Sequence, residues 1–96
     1  MKTRDDAIKV LSLIEDPEVH LDIWSLGLIY EIHIKESNDI KIIMTLTTPM
    51  CPFGPMIIEQ IKYGLTKEGF VNPEVELTFN PPWKPSDDVR MMLGLS

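Results

Sequence analysis

The single cysteine of this 96-residue chain, Cys51, lies in the stretch TLTTPMCPFGP from Thr45 to Pro55. An extended apolar segment, residues 40–47, precedes it, and a segment of helical period, residues 56–68, follows it. Proline suits the first position of a helix, so Pro52 predicts that the cysteine lies at or near the helix N-cap. Free backbone donors and the positive end of the helix dipole favour a thiolate in such a setting. The sequence therefore predicts a thiolate that binds a metal or attacks an electrophile.

The same residues also allow plainer interpretations. A lone cysteine can be an inert buried side chain that packs as a small hydrophobe. Thr47 and Thr48 are candidates to hydrogen-bond a thiolate, a sulfide or an anion, yet β-branched residues equally suit a strand. His20 and His33 stand at no metal-ligand spacing with each other or with Cys51. The absence of a CxxC motif argues against thioredoxin-like redox chemistry.

Composition limits the class of protein. The length suits one domain, which we expect to span residues 1–96, and 44% apolar with 25% charged residues is typical of a soluble globular protein. A net charge of -6 without a cluster of Lys and Arg argues against nucleic acid. The charged start MKTRDDAIKV is unlike a secretory signal, and no apolar run reaches the ~20 residues of a membrane span. We therefore expect no membrane contact and a cytoplasmic, reducing location that keeps the thiol free.

The spacing of apolar residues predicts the elements that hold the cysteine stretch. Thr3 and Asp6 give a capping-box signal, and Gly69 gives a helix C-cap signal. The predicted order is helix (4–14), strand (28–35), strand (40–47), helix (56–68), strand (74–80) and a last helix capped by Ser86. This order predicts an α+β fold of two layers: a small three-stranded sheet with its helices on one face. The polar positions of the strands predict a second face that is wet or covered by a partner.

Two further features bear on the surface. The prolines between Asn80 and Pro85 predict an extended arm that leaves the sheet after the third strand. The methionines are expected to be core fillers. Among them are Met44, Met50, Met56, Met91 and Met92.

Three blocks of the sequence are informative together: DPEVHLDIWSLGLIYEI (16–32), TLTTPMCPFGP (45–55) and FNPPWKPSDDVRMMLGL (79–95). In this order they resemble the iron-sulfur cluster assembly domain family that includes the SufT and PaaD proteins. The resemblance covers nearly the whole chain, without the cysteine-bearing tail of PaaD-like relatives. It implies a similar fold and assigns cluster chemistry to Cys51. It also implies that Asp16, Glu18, Thr47 and Thr48 line the same pocket.

The resemblance implies a maturation factor rather than an enzyme, with no catalytic residues. A cluster usually needs four thiolate ligands, and one chain supplies one. We therefore expect Cys51 to hold iron, sulfide or an iron-sulfur cluster transiently, either bridged between the subunits of a homodimer or shared with a partner. The expected partners are apo iron-sulfur client proteins and the cluster assembly machinery.

Two other classes of function stay open on sequence alone. The first is a non-metal interaction module, an adaptor in a maturation or multicomponent oxygenase complex, in which Cys51 is structural. The second is a thiol enzyme, which requires a histidine close to the cysteine in space.

Overall fold

The computed structural model describes residues 2–17, 19–47 and 53–92. The elements are α1 (Arg4–Leu11), β1 (Ile29–Ile34), β2 (Asp39–Met44), α2 (Gly54–Glu68), β3 (Val71–Leu77) and α3 (Asp87–Met92). Their order is the one predicted, and the hairpin of β1 and β2 is confirmed. None of the helices in the described ranges is long and apolar enough to cross a membrane.

β2 lies at the centre of the sheet, antiparallel to β1 and parallel to β3. Ile42 marks the middle of the register, because it lies opposite Ile32 on one side and Val75 on the other. Parallel strands need a crossover connection, and α2 makes it here. The result is a mixed three-stranded sheet with α1 and α2 packed together over it. The predicted α+β fold class is confirmed.

The core lies between the sheet and the helices, and alternation along β2 builds its floor. Ile40, Ile42 and Met44 are buried, whereas Lys41 and Ile43 on the other face are partly exposed. The helices cover this floor with buried residues at helical spacing. These are Ala7, Val10 and Leu11 of α1 and Ile57, Ile61 and Leu65 of α2.

The predicted capping box opens α1. The backbone N–H of Thr3 donates to the Asp6 carboxylate (2.9 Å), and the backbone N–H of Asp6 donates to the Thr3 hydroxyl (3.3 Å). The helix ends at Leu11, so its predicted extent to residue 14 is wrong. Tighter bonds replace the helical ones there, with the N–H of Ile14 donating to the Leu11 carbonyl. Ile14 still reaches the core, where it is 7% exposed.

A glycine inside α2 sets the distance between the two helices. A Cβ added at Gly64 would lie 2.8 Å from Cγ1 of Val10 in α1. The helices can therefore approach this closely only without a side chain at residue 64. The predicted C-cap is confirmed, since Gly69 is left-handed with φ 108°.

β3 begins three residues earlier than predicted and ends at Leu77 rather than residue 80. A proline is tolerated on an edge strand such as this one, so Pro73 does not prevent the earlier start. The pairing with β2 shifts register between Asp39 and Lys41, and Asn72 adopts a φ of 46° at that irregularity.

The chain leaves the sheet after β3, as predicted, but it is not a free arm. The indole N–H of Trp83 donates to the Leu26 carbonyl (2.7 Å), and the Tyr30 hydroxyl donates to the Pro81 carbonyl (2.9 Å). Beyond them, the Ser86 hydroxyl accepts a bond from the N–H of Val89, which confirms the predicted cap of α3. Val89 itself is only 2% exposed. Residues 78–89 are thus fastened to the start of β1 and to the core.

Candidate functional site

The segment that carries the cysteine starts from the best-anchored end of the sheet. Just beyond β2, the N–H of Thr45 donates to the Leu28 carbonyl, and the N–H of Thr78 donates to the Met44 carbonyl, both at 2.8 Å. Thr45 is fully buried. Bonds to both neighbouring strands therefore fix the point at which the chain leaves β2.

The segment returns close to where it left. A Cβ added at Gly54, the first residue of α2, would lie 3.0 Å from Cδ1 of Leu46. Leu46 is 4% exposed, so the end of β2 and the start of α2 pack directly against each other. The described residues on either side of the cysteine, Leu46 and Gly54, therefore lie in contact, and we call residues 47–53 between them in the chain the cysteine loop. Sequence reasoning missed the role of Gly54, although a glycine between Phe53 and Pro55 was a signal that side-chain space is limited there.

Cys51, Thr48 and Glu18 lie outside the described residues, so their predicted roles stay predictions. The described part of the loop does correct the start of the helix. The N-cap is Phe53 and the proline of the first turn is Pro55, so the prediction that Pro52 opens the helix is wrong.

The beginning of α2 has the electrostatics that suit an anion. Phe53 makes no side-chain capping bond, and the first turn of α2 contains no acidic residue. The positive end of this 15-residue helix is therefore offset neither by a side-chain bond from Phe53 nor by an acidic residue of its first turn. A thiolate, a sulfide or a carboxylate near this helix end would be stabilised.

The described members of the predicted pocket come from two loops. Thr47 follows β2 and is partly exposed. Asp16 lies in the turn after α1 and is fully buried, held by bonds from its own N–H to the Leu21 carbonyl and from the N–H of His20 to its carbonyl. The loop that carries Asp16 runs on to Leu28, which the backbone of Thr45 contacts directly. The loop that carries Asp16 therefore ends at the same end of the sheet at which Thr47 follows β2.

Both histidines have exposed side chains. His20 is an exposed loop residue, as predicted. His33 is an exposed strand residue whose Nε2 lies 3.0 Å from Glu31 Oε1. Among the described residues, no group of three or more His, Cys, Asp or Glu is arranged to hold a metal ion.

Sequence reasoning also missed a set of exposed apolar side chains at the start of α2 and the end of β3, which we call the apolar rim. Four apolar side chains at the start of α2 and the end of β3 are 37–43% exposed: Phe53, Met56, Leu77 and Phe79. The prediction that methionines fill the core is confirmed for Met44 and wrong for Met56 and for Met91, which is 78% exposed. Met56 directly precedes the buried stripe of α2, a position that points away from the core. Met50 and the side chain of Met92 lie outside the described residues.

Comparisons with known proteins agree with this fold and these motifs. A solved structure, a conserved hypothetical protein of Thermotoga maritima, is 43% identical with a TM-score of 0.84, and the match covers 98% of this chain and 96% of that one. The Fe-S protein maturation auxiliary factor SufT of Staphylococcus aureus is 38% identical over 88% of this chain and 100% of its own length. The factor YitW of Bacillus subtilis, with the same description, is 34% identical over 96% of this chain and 94% of its own.

The model of the iron-sulfur cluster assembly protein family matches residues 4–77. This range contains both loops of the site and all three strands. The chain belongs to the iron-sulfur cluster assembly protein family.

Proposed function

We propose that this protein is a maturation factor for iron-sulfur proteins, in which Cys51 takes up iron, sulfide or a cluster as transient cargo and passes it on. The observation that carries the proposal is the cysteine loop. In a chain of this family, the only cysteine lies in the sequence between Leu46 and Gly54, which are in contact, and just before a helix whose N-cap residue, Phe53, makes no side-chain capping bond. A thiolate in such a place is stabilised without being enclosed.

The ligand count argues for transfer rather than storage. A stable cluster usually has four thiolate ligands, and this chain contains one cysteine. The remaining ligands must come from a second subunit, from small molecules or from the receiving protein. Open coordination suits cargo that has to leave, so the protein acts on apo iron-sulfur clients and with the assembly machinery, in the reducing cytoplasm, and does not act as an enzyme.

The neighbouring polar groups have distinct proposed tasks. Asp16 and Glu18 supply hard oxygen ligands or attract iron, while the hydroxyls of Thr47 and Thr48 orient the sulfur. The burial of Asp16 supports this assignment, because a carboxylate is costly to bury and is kept where it has a partner or a task.

A transfer assay tests this function. The protein, loaded anaerobically with iron and sulfide, is mixed with an apo iron-sulfur protein whose own activity reports cluster insertion. The wild type is expected to speed activation, and Cys51→Ser is expected to fall to the rate of iron and sulfide alone. Leu13→Ser, at an exposed site in the turn after α1, is the matched control and keeps the wild-type rate. Equal rates for wild type and Cys51→Ser would exclude delivery by the cysteine.

The apolar rim favours a second candidate, an adaptor that docks partners while Cys51 is structural. Phe53, Met56, Leu77 and Phe79 are exposed apolar side chains at the start of α2 and the end of β3, and apolar side chains that form one exposed patch are typical of docking surfaces. This candidate predicts that Cys51→Ser keeps its partner affinity, whereas Phe79→Ser loses it. Trp83 is not part of such a surface, because its indole is bonded to Leu26.

A further inference from the structure

The two edges of the sheet are built differently. β3 is blunted as an edge, because Pro73 has no N–H to offer and Asn72 departs from strand geometry with a φ of 46°. β1 has neither device: its sequence, IYEIHI, lacks proline and lysine, and its one irregularity lies at the start, between Ile29 and Glu31. Among the described residues, no strand pairs with the outer side of β1.

The backbone of β1 offers a regular row of donors and acceptors on that side. The N–H of Lys35 donates inward to the Asp39 carbonyl of the hairpin. Groups alternate along an antiparallel strand, so the N–H and C=O of Ile34 and Ile32 are directed outward, while those of His33 face β2. The register from residue 31 to residue 34 has no shift. The backbone N–H and C=O groups of Ile32 and Ile34 are therefore available to pair with an added strand.

The side chains of β1 indicate that the strand added to this edge is a second copy of β1. Glu31 and His33 lie on the open face of the sheet, on either side of Ile32, and both are about half exposed. When two copies of β1 run antiparallel about Ile32, Glu31 lies opposite the partner's His33, and His33 lies opposite the partner's Glu31. A histidine N–H donates to a carboxylate in either protonation state. On the opposite face, half-buried Ile32 meets the partner's Ile32, beside a groove of about 360 Å³ lined by Ile34 and α1.

We propose that β1 is a self-association edge, through which two copies of this chain join their sheets into one six-stranded sheet with twofold symmetry. The two β1 strands pair antiparallel at the centre of this sheet. Hydrogen-bonded polar pairs placed directly across a strand pair stabilise it, and here symmetry supplies two Glu31–His33 pairs. The joined strands run in opposite directions. The ends of β2 that lead to Cys51 then lie at opposite ends of the joint, so the dimer does not depend on the cysteine and is not the cluster-bridged form.

The register can be tested with two charge variants of the full chain. In Glu31→Lys, lysine lies opposite the partner's His33; in His33→Glu, glutamate lies opposite the partner's Glu31. Each variant alone should lose the dimer. In a mixture of the two variants, the new lysine of one chain lies opposite the new glutamate of the other. The second pair is the native one, His33 opposite Glu31, so the mixture should form the dimer again. If the two strands were instead paired about His33, the new lysine would lie opposite the partner's Lys35, and the mixture would not form a dimer.

The measurement is mass in solution by sedimentation equilibrium at about 0.1 mM, where a Kd of about 10 μM leaves most chains paired. We expect twice the 11.0 kDa of one chain for the wild type, a mass close to 11.0 kDa for each variant, and the doubled mass for the mixture. Glu59→Lys, the same charge change on an exposed site of α2, should stay dimeric. A monomeric wild type, variants that remain dimeric, or a mixture that stays monomeric would each overturn the proposal.

Discussion

Asp16 is a carboxylate that the fold excludes from solvent, while its neighbour Glu15 is exposed. Removing a charge from water costs several kcal/mol unless bonds or nearby charges compensate. The turn from Asp16 to Leu21 holds the residue in place through its backbone at both ends. An acid before a proline indicates a turn, but acids in such turns are usually solvated, so the burial of Asp16 was not predictable.

Replacing Asp16 by asparagine tests whether the carboxylate serves the cargo. Asparagine keeps the shape and removes the charge, so we expect the unfolding free energy to fall by about 1–3 kcal/mol and the chain to remain folded. Iron uptake should fall about tenfold, as is typical when a group supporting a metal site is lost. Equilibrium dialysis with iron measures this, with Glu15→Gln as the neighbouring control. Unchanged uptake in Asp16→Asn would make the residue structural.

Asp6 predicts a pH dependence of stability. The backbone N–H of Thr3 donates to its carboxylate, which lowers the pKa of Asp6 below the ordinary value of 3.8. A pKa lower in the folded than in the unfolded chain gives stability that is present above the unfolded value and is lost as the pH falls through the folded one. Urea unfolding between pH 5 and acid pH should therefore show a shallower loss for Asp6→Asn than for the wild type. Asp5→Asn, which removes an acid without this bond, should follow the wild type, and equal slopes for all three would contradict the assignment.

At the scale of elements, the contact between α1 and α2 depends on the absence of a side chain at residue 64. Helical period alone predicts α2 and its buried stripe, because Ile57, Ile61 and Leu65 recur on one face. It cannot reveal why a glycine stands between them, since that reason lies in Val10, more than fifty residues earlier. A Cβ added at residue 64 would lie 2.8 Å from Cγ1 of Val10, which explains the glycine.

Gly64→Ala should destabilise the protein although alanine favours helices. Overpacking costs about 1–3 kcal/mol, against a gain of about 1 kcal/mol in helix propensity, and the side chain of Val10 branches too close to its backbone to move away. Adding Val10→Ala should make the two changes non-additive, because the clash is then absent. Urea unfolding of the two single variants and the double variant measures this coupling, with Lys62→Ala on the exposed face of α2 as control. Strict additivity would mean that the two side chains do not meet.

The boundaries of elements were less predictable than their order. Apolar alternation identified β1 and β2, but β3 began earlier because an edge strand accepts Pro73. The arm after β3 was identified by its prolines. Its attachment was not, because the bonds of Trp83 to Leu26 and of Tyr30 to Pro81 join residues more than fifty positions apart.

At the scale of the whole molecule, the chain has two dissimilar surfaces. The open face of the sheet is charged, with Lys41 bonded to Glu76 at 3.4 Å and His33 to Glu31. The end of the sheet that leads into the cysteine loop is apolar at its rim. The predicted polar face is therefore present, and the chain leaves β2 toward the cysteine loop at the end of the sheet rather than on that face.

The candidate site was predictable in kind but not in geometry. A lone cysteine between prolines, after a strand and before a helix, indicated the loop. The closure of that loop through Leu46 and Gly54 and the exposed rim depend on how the layers pack, which local patterns do not encode. Cys51 itself stays a prediction, and its chemistry is the central claim.

Anaerobic reconstitution with iron and sulfide tests that claim most directly. Wild type and Cys51→Ser are compared by visible absorption and by iron content after removal of unbound metal. The account predicts a sulfur-to-iron charge-transfer band and bound iron for the wild type and neither for the variant. If both proteins stay colourless without iron, or both gain the same band, the cysteine does not carry the cargo and the adaptor becomes the better account.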